Sequence, residues 1–228
     1  MTRVAAIIPV GTLEGAKTRL GGSLDAEERE DLAEGFLART VLAALAVDSL
    51  DDVLVVSPDR DVLQRAAELG ARTLRQRSRG LNPGLVEARA DVVAGGAEAI
   101  LVLPIDLPFV TAAAVRAVIE PLDTRGFGSA GVGGTDVGGA SVGSASVGSP
   151  IVVLVTDRHG TGTNALALRP PSVIDFAFGV GSRSAHRAAA GRVGATYVEV
   201  DGPLSVDLDT PDDLVFVESL AGEAIRAD

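Results

Sequence analysis

The stretch Ala99-Ile-Leu-Val-Leu-Pro-Ile-Asp-Leu-Pro-Phe109 decides the fold of this chain. Its first five residues form an uninterrupted apolar run, which is typical of a strand buried on both faces of a parallel sheet. Asp106 follows this run, and Pro104 and Pro108 restrict the backbone on either side of it. An acid in this position predicts a divalent-cation site at the carboxyl end of a central strand. The alternative is a turn in which Asp106 accepts hydrogen bonds from nearby backbone N–H groups.

Short aliphatic runs alternate with longer helical patterns on both sides of this strand. Further strands are predicted at 4–8, 53–56, 71–74, 151–155, 165–168 and 196–200. Helices are predicted at 25–47, 61–69, 83–95, 111–122, 182–190 and from 211 onward. This alternation predicts an α/β protein built from βαβ units, with a mainly parallel mixed sheet.

Composition excludes several classes of protein. The 228 residues carry 20 Lys and Arg against 31 Asp and Glu, a net charge of −11, which argues against nucleic acid as a partner. The chain contains no cysteine, which removes disulfides and thiolate metal sites and suits a reducing cytoplasm. No apolar stretch approaches the length of a membrane helix, about 20 residues, and no signal segment is visible. We therefore expect one cytoplasmic domain, 1–228; its size leaves a homodimer open.

One segment breaks the alternation of strands and helices. Residues 128–149 contain eight Gly, five Ser and four Val, and the valines recur every five residues. This spacing matches neither the helical nor the strand period, and the small side chains offer little area to offset the entropy of ordering the backbone. The favoured interpretation is a flexible surface insertion within the domain, and a functional lid is the alternative.

Two further segments point to a nucleotide with its cation. A second acidic cluster, Asp-Leu-Asp-Thr-Pro-Asp-Asp at 207–213, is expected to place Asp207 and Asp209 on one face of a strand and Asp213 in a helix cap. The loop after the first strand carries Lys17, which is able to bind phosphates, although an ordinary loop with exposed cations is the alternative. Two acidic sites and a lysine loop together suggest a Mg²⁺-nucleotide site.

Two glycine-containing loops are rich in anion-binding donors. Residues 157–164 contain hydroxyls and backbone N–H groups, and residues 178–183 open a helix whose dipole favours an anion. Together they are able to bind a small phosphorylated acid. His159 and His186 are interpreted as surface or loop histidines rather than metal ligands, because no second ligand lies at a suitable spacing. Asn82 is predicted either to meet a base or ribose or to cap a helix.

The arginines at 72, 75, 77 and 79 are interpreted as a solvated basic rim rather than catalytic groups, and the alternative is that some of them attract a triphosphate.

The motifs together resemble the guanylyltransferases that activate 2-phospho-L-lactate or phosphoenolpyruvate in the biosynthesis of coenzyme F-420. The resemblance rests on IIPV with AKTRL at the start, then GLNPGL, LPIDLPFV, RHGTGTNAL, FGVGS and the closing DLDTPDDL. RHGTGTNAL followed by FGVGS is the most specific part of this resemblance. The resemblance covers nearly the whole chain except the Gly/Ser/Val segment. It implies a three-layer α/β/α nucleotidyltransferase fold, like that of nucleotide-diphospho-sugar transferases, with GTP as co-substrate and Mg²⁺ as cofactor.

The resemblance also implies roles for particular residues. Asp106 and Asp209 would bind Mg²⁺, and Lys17 and Asp106 would be catalytic. GTP would contact Lys17, Arg19 and Asn82. Phosphoenolpyruvate or 2-phospho-L-lactate would contact Thr163, Gly179 and Ser182. One departure is Gly11, which stands where the family often carries a lysine, so Lys17 would supply that phosphate contact alone.

The implied reaction moves GMP from GTP to the phosphate of phosphoenolpyruvate or 2-phospho-L-lactate and releases pyrophosphate. Two other functions stay open: transfer to a different acceptor, such as 3-phosphoglycerate or a sugar phosphate, and nucleotide binding without catalysis. A nicotinamide dehydrogenase is disfavoured because the sequence G-x-G-x-x-G is absent after the first strand.

Overall fold

Seven strands form one sheet in the computed structural model, which describes residues 2–12, 21–22, 24–123 and 149–226. The strands are β1 (Val4–Pro9), β2 (Asp52–Ser57), β3 (Arg72–Arg75), β4 (Ala99–Val102), β5 (Ile151–Val155), β6 (Ala165–Arg169) and β7 (Thr196–Glu199). The helices are α1 (Ala26–Leu45), α2 (Arg60–Glu68), α3 (Leu81–Ala94), α4 (Ala112–Ile119), α5 (Ser182–Val193) and α6 (Pro211–Arg226). Short 3-10 turns cover Glu120–Leu122 and Pro203–Ser205.

The sheet is mainly parallel, as the sequence predicts. Its strand order is β3-β2-β1-β4-β6-β5-β7, and β6 pairs antiparallel with both of its neighbours while the other described pairs are parallel. The carboxyl ends of β1 to β5 and β7 therefore meet at one edge, together with the start of β6. The chain leaves β1 toward β2 on one side and later adds β4 on the other, and in open α/β sheets this change of direction is where a ligand crevice is expected, here between β1 and β4 at that edge.

Helices cover both faces of the sheet and give three layers. Strand residues alternate between the faces: Ile100 and Val102 of β4 pack with α3 and α5, whereas Ala99 and Leu101 pack with α4. The helices α1 and α2 cover the β1–β2 part of the second face. Both faces are apolar, which is why the strands read as continuous hydrophobic runs instead of alternating ones.

Polar caps explain where several helices begin. The carboxylate of Asp25 accepts a hydrogen bond from the Glu28 N–H at 2.9 Å, and the Glu28 carboxylate accepts one from the Asp25 N–H at 2.8 Å. Thr111 caps α4 through the Ala114 N–H at 3.1 Å. After α2, Gly70 adopts the positive φ of 98° that ends helices. None of the helices in the described residues combines the length and hydrophobicity needed to span a membrane.

Two local predictions from the sequence are wrong. Residues 206–209 have no strand conformation, so alternation along a strand does not place Asp207 and Asp209 on a shared face. Arg72 is not part of a basic rim, because it pairs with Asp52 at 3.0 Å and Asp91 at 2.6 Å near the start of its strand, and both partners raise its pKa. Arg75 is exposed at the carboxyl end of β3 and fits the predicted rim.

Arg169 joins the chain on the two sides of the Gly/Ser/Val segment, and residues 124–148, which include most of that segment, lie outside the described part of the chain. Its guanidinium is buried and donates to the carbonyls of Leu122 and Ser149. Arg169 ends β6 opposite Ile151, the first residue of β5. The two stems therefore lie at the edge where the parallel strands begin, opposite the crevice. This placement supports a surface insertion, which together with the single domain stays a prediction.

Replacing residues 124–148 by a glycine–serine linker of about half their length is expected to shift the melting temperature by no more than about 2 °C. Arg169 holds both stems against the core, and closing a loop costs only about 0.6 kcal/mol per doubling of its length. Differential scanning calorimetry measures the shift. A loss of cooperative unfolding in the shortened chain would show that the segment is part of the core.

Candidate active site

The two acidic segments meet at the carboxyl edge of the sheet. The Leu208 N–H donates to the Asp106 carbonyl at 3.0 Å, although the two residues are more than one hundred positions apart in sequence. Leu208 is 2% exposed and packs with Phe36 of α1, and Ile105 packs against the same apolar cluster. Asp106 and Asp209 are each half-buried beside this contact. The structure therefore brings together the two residues predicted to bind Mg²⁺.

Asp213 organises the second acidic segment and is not a further candidate ligand. Its Oδ2 accepts hydrogen bonds from the N–H groups of Asp209, at 3.1 Å, and Thr210, at 2.8 Å. Its Oδ1 accepts from the Arg158 guanidinium at 2.5 Å, and that guanidinium lies over the Phe216 ring. Burial opposes ionisation, but these hydrogen bonds outweigh it and hold the pKa of Asp213 below its usual value. The predicted capping role of Asp213 is confirmed.

Asn164 links the acidic segment to the start of β6. Its side-chain NH₂ donates to the Leu204 carbonyl at 3.0 Å and approaches Asp207 Oδ1 at 3.4 Å. Burial raises the pKa of Asp207, the Asn164 hydrogen bond lowers it, and the charge of Asp209 raises it again, with a net upward shift. The sequence analysis did not select Asn164, although it directly follows Thr163 in a quoted motif.

The two predicted anion loops lie against each other. Asp157 shapes the first loop by accepting from the Thr161 N–H at 2.7 Å. The Arg183 N–H, in the first turn of α5, donates to the Thr161 carbonyl at 3.2 Å. Gly181 caps α5 in the left-handed conformation, with φ 72°, and its cap has no side-chain hydrogen bond. The Ser182 N–H donates to the Gly179 carbonyl at 3.1 Å, so the first two N–H groups of α5 are bound within the protein. Gly179 and Ser182 thus lie in the turn that opens α5, beside the first loop.

His186 is buried, so the interpretation of this residue as a surface or loop histidine is wrong. Its ring lies between Thr163 Oγ1, 3.1 Å from Nδ1, and the Ala177 N–H, 3.0 Å from Nε2, with no exposed surface. Burial lowers its pKa to about 4, so the ring is neutral near pH 7. His159 is exposed in its loop, as predicted. The burial of His186 depends on contacts with Thr163 and Ala177, which the local sequence does not indicate.

Asn82 is not a helix cap. Helix α3 begins at Leu81 behind Gly80, so Asn82 lies in the first turn. Its Nδ2 donates to the Phe178 carbonyl at 3.0 Å, and its Oδ1 accepts from the Phe178 N–H at 2.9 Å. These two bonds attach α3 to the loop that contains Gly179. Contact between Asn82 and the nucleoside stays a prediction.

A side-chain network that the sequence did not reveal builds the loop before α3. Gln76 Nε2 donates to the carbonyls of Ser78, at 2.9 Å, and Gly80, at 2.8 Å, and the Glu87 carboxylate accepts from the N–H groups of Arg77 and Ser78. A Cβ on Gly84 would lie 2.5 Å from Gln76 Cδ, so a larger residue at this position requires the Gln76 side chain to move. The second glycine of the motif GLNPGL therefore lies in close contact with Gln76.

The structure joins the predicted site residues through a continuous series of contacts. Asp106 contacts the 207–209 segment, Asn164 connects that segment to Thr163, and His186 connects Thr163 to the loop before α5. Lys17 and Arg19 lie outside the described residues. In the part of the chain that is described, no three His, Cys, Asp or Glu side chains are grouped closely enough to hold a metal alone.

The fold is similar to that of a solved structure. A crystal structure of a proposed nucleotide-diphospho-sugar transferase from Desulfovibrio desulfuricans G20 matches it with a TM-score of 0.70 at 15% identity, covering 95% of this chain and 87% of that one. The likeness shows a shared fold.

Sequence comparison then identifies the family. The model of "Guanylyl transferase CofC like" proteins matches residues 4–135. Phosphoenolpyruvate guanylyltransferase of Rubrobacter xylanophilus is 41% identical over 224 residues, 98% of this chain and 97% of the relative. The enzyme of that name from Sphaerobacter thermophilus is 38% identical over 226 residues, 98% of this chain and 95% of the relative. The chain belongs to the CofC-like guanylyl transferase family.

Gly84→Ala is expected to destabilise the protein by about 1 kcal/mol, because two Gln76 hydrogen bonds of about 1 kcal/mol each are lost while alanine favours the helix by about 1 kcal/mol. In a Gln76→Ala background, the same substitution is expected to stabilise instead. Urea unfolding of the wild type, the two single variants and the double variant measures the change in the free energy of unfolding that Gly84→Ala causes in each background. The same sign in both backgrounds would contradict the proposed contact.

Stability is expected to depend on pH through His186. The unfolded chain binds a proton near the usual histidine pKa of 6.5, whereas the folded protein binds one only near pH 4, so acid favours unfolding between these values. Between pH 7 and pH 5 the free energy of unfolding of the wild type should fall by about 2 kcal/mol more than that of the His186→Gln variant. Denaturant unfolding at both pH values measures this difference. Parallel pH profiles would show that His186 titrates normally.

Proposed function

We propose that this protein is a guanylyltransferase that moves GMP from GTP to the phosphate of phosphoenolpyruvate, with release of pyrophosphate, in coenzyme F-420 biosynthesis. The observation that carries the proposal is the hydrogen bond between Leu208 and Asp106, which places two distant acids beside one crevice. The names of the relatives support GTP as donor and phosphoenolpyruvate as acceptor. The predictions of a cytoplasmic protein and of a homodimer stay predictions.

The acidic half of the site fits Mg²⁺. This ion is usually bound by one or two carboxylates together with substrate phosphates and water. Asp106 and Asp209 offer two such carboxylates, and Asp213, directed to backbone N–H groups and Arg158, is used elsewhere. When bound, Mg²⁺ would neutralise charge on the GTP phosphates. Lys17 and Arg19 are proposed to contact the same phosphates, and Asn82 to lie near the nucleoside.

The other half of the site fits an acidic acceptor. Thr163 supplies a hydroxyl, and Gly179 and Ser182 lie at the start of α5, beside the loop that contains Thr163. Arg183, in the first turn of α5, has its guanidinium bound to Glu199 at 2.8 and 2.9 Å and is not proposed as a ligand. Thr163, Gly179 and Ser182 are the residues that we propose to contact the acceptor.

The chemistry requires positioning more than proton transfer. An oxygen of the acceptor phosphate attacks the α-phosphorus of GTP, and the bond from that phosphorus to the β-phosphate breaks to release pyrophosphate. The second pKa of a phosphate monoester is about 6, so the nucleophile is already ionised at neutral pH and needs no general base. The main barrier is repulsion between two anions, which the donors of the site reduce by holding both in place.

Pyrophosphate release tests the proposal. With GTP and Mg²⁺, the protein is incubated separately with phosphoenolpyruvate, 2-phospho-L-lactate and 3-phosphoglycerate, and product mass identifies the acceptor. Phosphoenolpyruvate is expected to give the highest kcat/KM. Pyrophosphate release with only one of the other two acids would show that this acid, and not phosphoenolpyruvate, is the acceptor. GTP binding without pyrophosphate release would indicate a binding module instead of an enzyme.

Asp106→Asn is expected to lower kcat/KM by at least about a hundredfold, because it removes one carboxylate charge from the proposed cation site. Its free energy of unfolding should change by less than about 1 kcal/mol, since the side chain is only half-buried. Asp212→Asn is the matched control, because it removes the same charge at an exposed position in the first turn of α6. Wild-type rates for Asp106→Asn at saturating Mg²⁺ would contradict the metal role.

A further inference from the structure

His186 connects the two loops of the acceptor half of the site from inside the protein. One ring nitrogen, Nδ1, lies 3.1 Å from Thr163 Oγ1, and the other, Nε2, lies 3.0 Å from the Ala177 nitrogen. The Phe178 ring meets the imidazole edge-on, with centroids 5.3 Å apart. Since the side chain has no exposed surface, it does not itself contact a ligand in the crevice.

Hydrogen-bond chemistry determines which ring nitrogen carries the proton. A backbone N–H is only a donor, so Nε2 must accept from Ala177 and is unprotonated. A neutral imidazole has one N–H, which then lies on Nδ1 and donates to Thr163 Oγ1. In the charged imidazolium, an N–H on Nε2 would face the N–H of Ala177, which is unfavourable. Burial also disfavours the charged ring.

This tautomer sets the direction of the Thr163 hydroxyl. Because Thr163 Oγ1 accepts from His186, its own proton is not used in that bond and is available to a second acceptor. An ionised phosphate or carboxylate is an acceptor only, so it requires a hydroxyl that donates. With the opposite tautomer, Thr163 would donate to Nδ1 and would present lone pairs to the anion.

We propose that His186 is a positioning residue that, through its Nδ1–H tautomer, makes the Thr163 hydroxyl a donor to the anionic acceptor. The assignment of the acceptor site rests on the proposed function, whereas the tautomer does not. The Ala177 bond supplies the constraint on the ring, and Asn82 holds Phe178, the next residue, through both of its backbone polar groups. The ring is therefore fixed from the side opposite Thr163.

Nitrogen-15 NMR of histidine-labelled protein tests the tautomer directly. The chain has two histidines, so a His159→Gln sample leaves a single set of ring signals for assignment. At pH 7 the His186 signals are expected to show a protonated Nδ1 and an unprotonated Nε2. A protonated Nε2, or a charged ring, would overturn the proposal whatever reaction the protein catalyses.

Steady-state kinetics with phosphoenolpyruvate and GTP test the role in binding. Asparagine places an NH₂ near the Nδ1 position, so His186→Asn should keep the acceptor KM within about threefold, whereas His186→Gln, which reaches only Ala177, should raise it about tenfold. The KM for GTP should stay within about twofold in both variants. Equal losses in the two variants, or matching changes in both KM values, would indicate a merely structural histidine.

Thr163→Val provides the second arm of the experiment. If His186 acts through the Thr163 hydroxyl, His186→Gln should raise the acceptor KM about tenfold in wild type but by less than about twofold in the Thr163→Val background. Independent, multiplicative losses would overturn the proposal. If the wild type releases no pyrophosphate with any acid, the proposed function fails, and the NMR result still decides the tautomer.

Discussion

A backbone hydrogen bond from the Leu208 N–H to the Asp106 carbonyl joins the two segments of the chain that build the acidic site. Leu208 is the apolar residue between Asp207 and Asp209, and burying it against Phe36 fixes a segment that has no regular secondary structure of its own. Asp213 adds a second constraint by binding the backbone at Asp209 and Thr210. Hydrophobic burial therefore positions carboxylates that would otherwise repel one another.

The reversed strand β6 gives the site its second half. Because β6 begins at the edge where its parallel neighbours end, Thr163 and Asn164, which directly precede β6, lie at the same edge of the sheet as the acidic segments. Asn164 contacts Asp207 on the acidic side, and Thr163 contacts His186 on the side of α5. Two adjacent residues thus join the acidic segment to the α5 side of the proposed site. This arrangement suits the proposed reaction, which joins two anions.

Much of the fold could be predicted from the sequence, because buried parallel strands and helix caps leave local signals. Every predicted strand of the sheet is present, and Asp25, Thr111 and Asp213 act as caps. The site was less predictable. The pairing of Asn82 with Phe178, the bonds of Gln76 and the burial of His186 depend on contacts between residues far apart in sequence or on loop geometry, which no periodicity encodes. The prediction of a strand at Asp207 and Asp209 was wrong because alternating acidic residues are also typical of a strand, whereas residues 206–209 have no regular secondary structure.

The central claim is that Asp106 and Asp209 bind one ion together with the nucleotide. Crystals grown with a non-hydrolysable GTP analogue and Mn²⁺ in place of Mg²⁺ test it, because anomalous scattering locates the manganese. We predict one ion with an oxygen of each carboxylate within about 2.5 Å, in contact with the phosphates. An ion bound by only one of the two aspartates, or located away from the crevice between β1 and β4, would contradict the account.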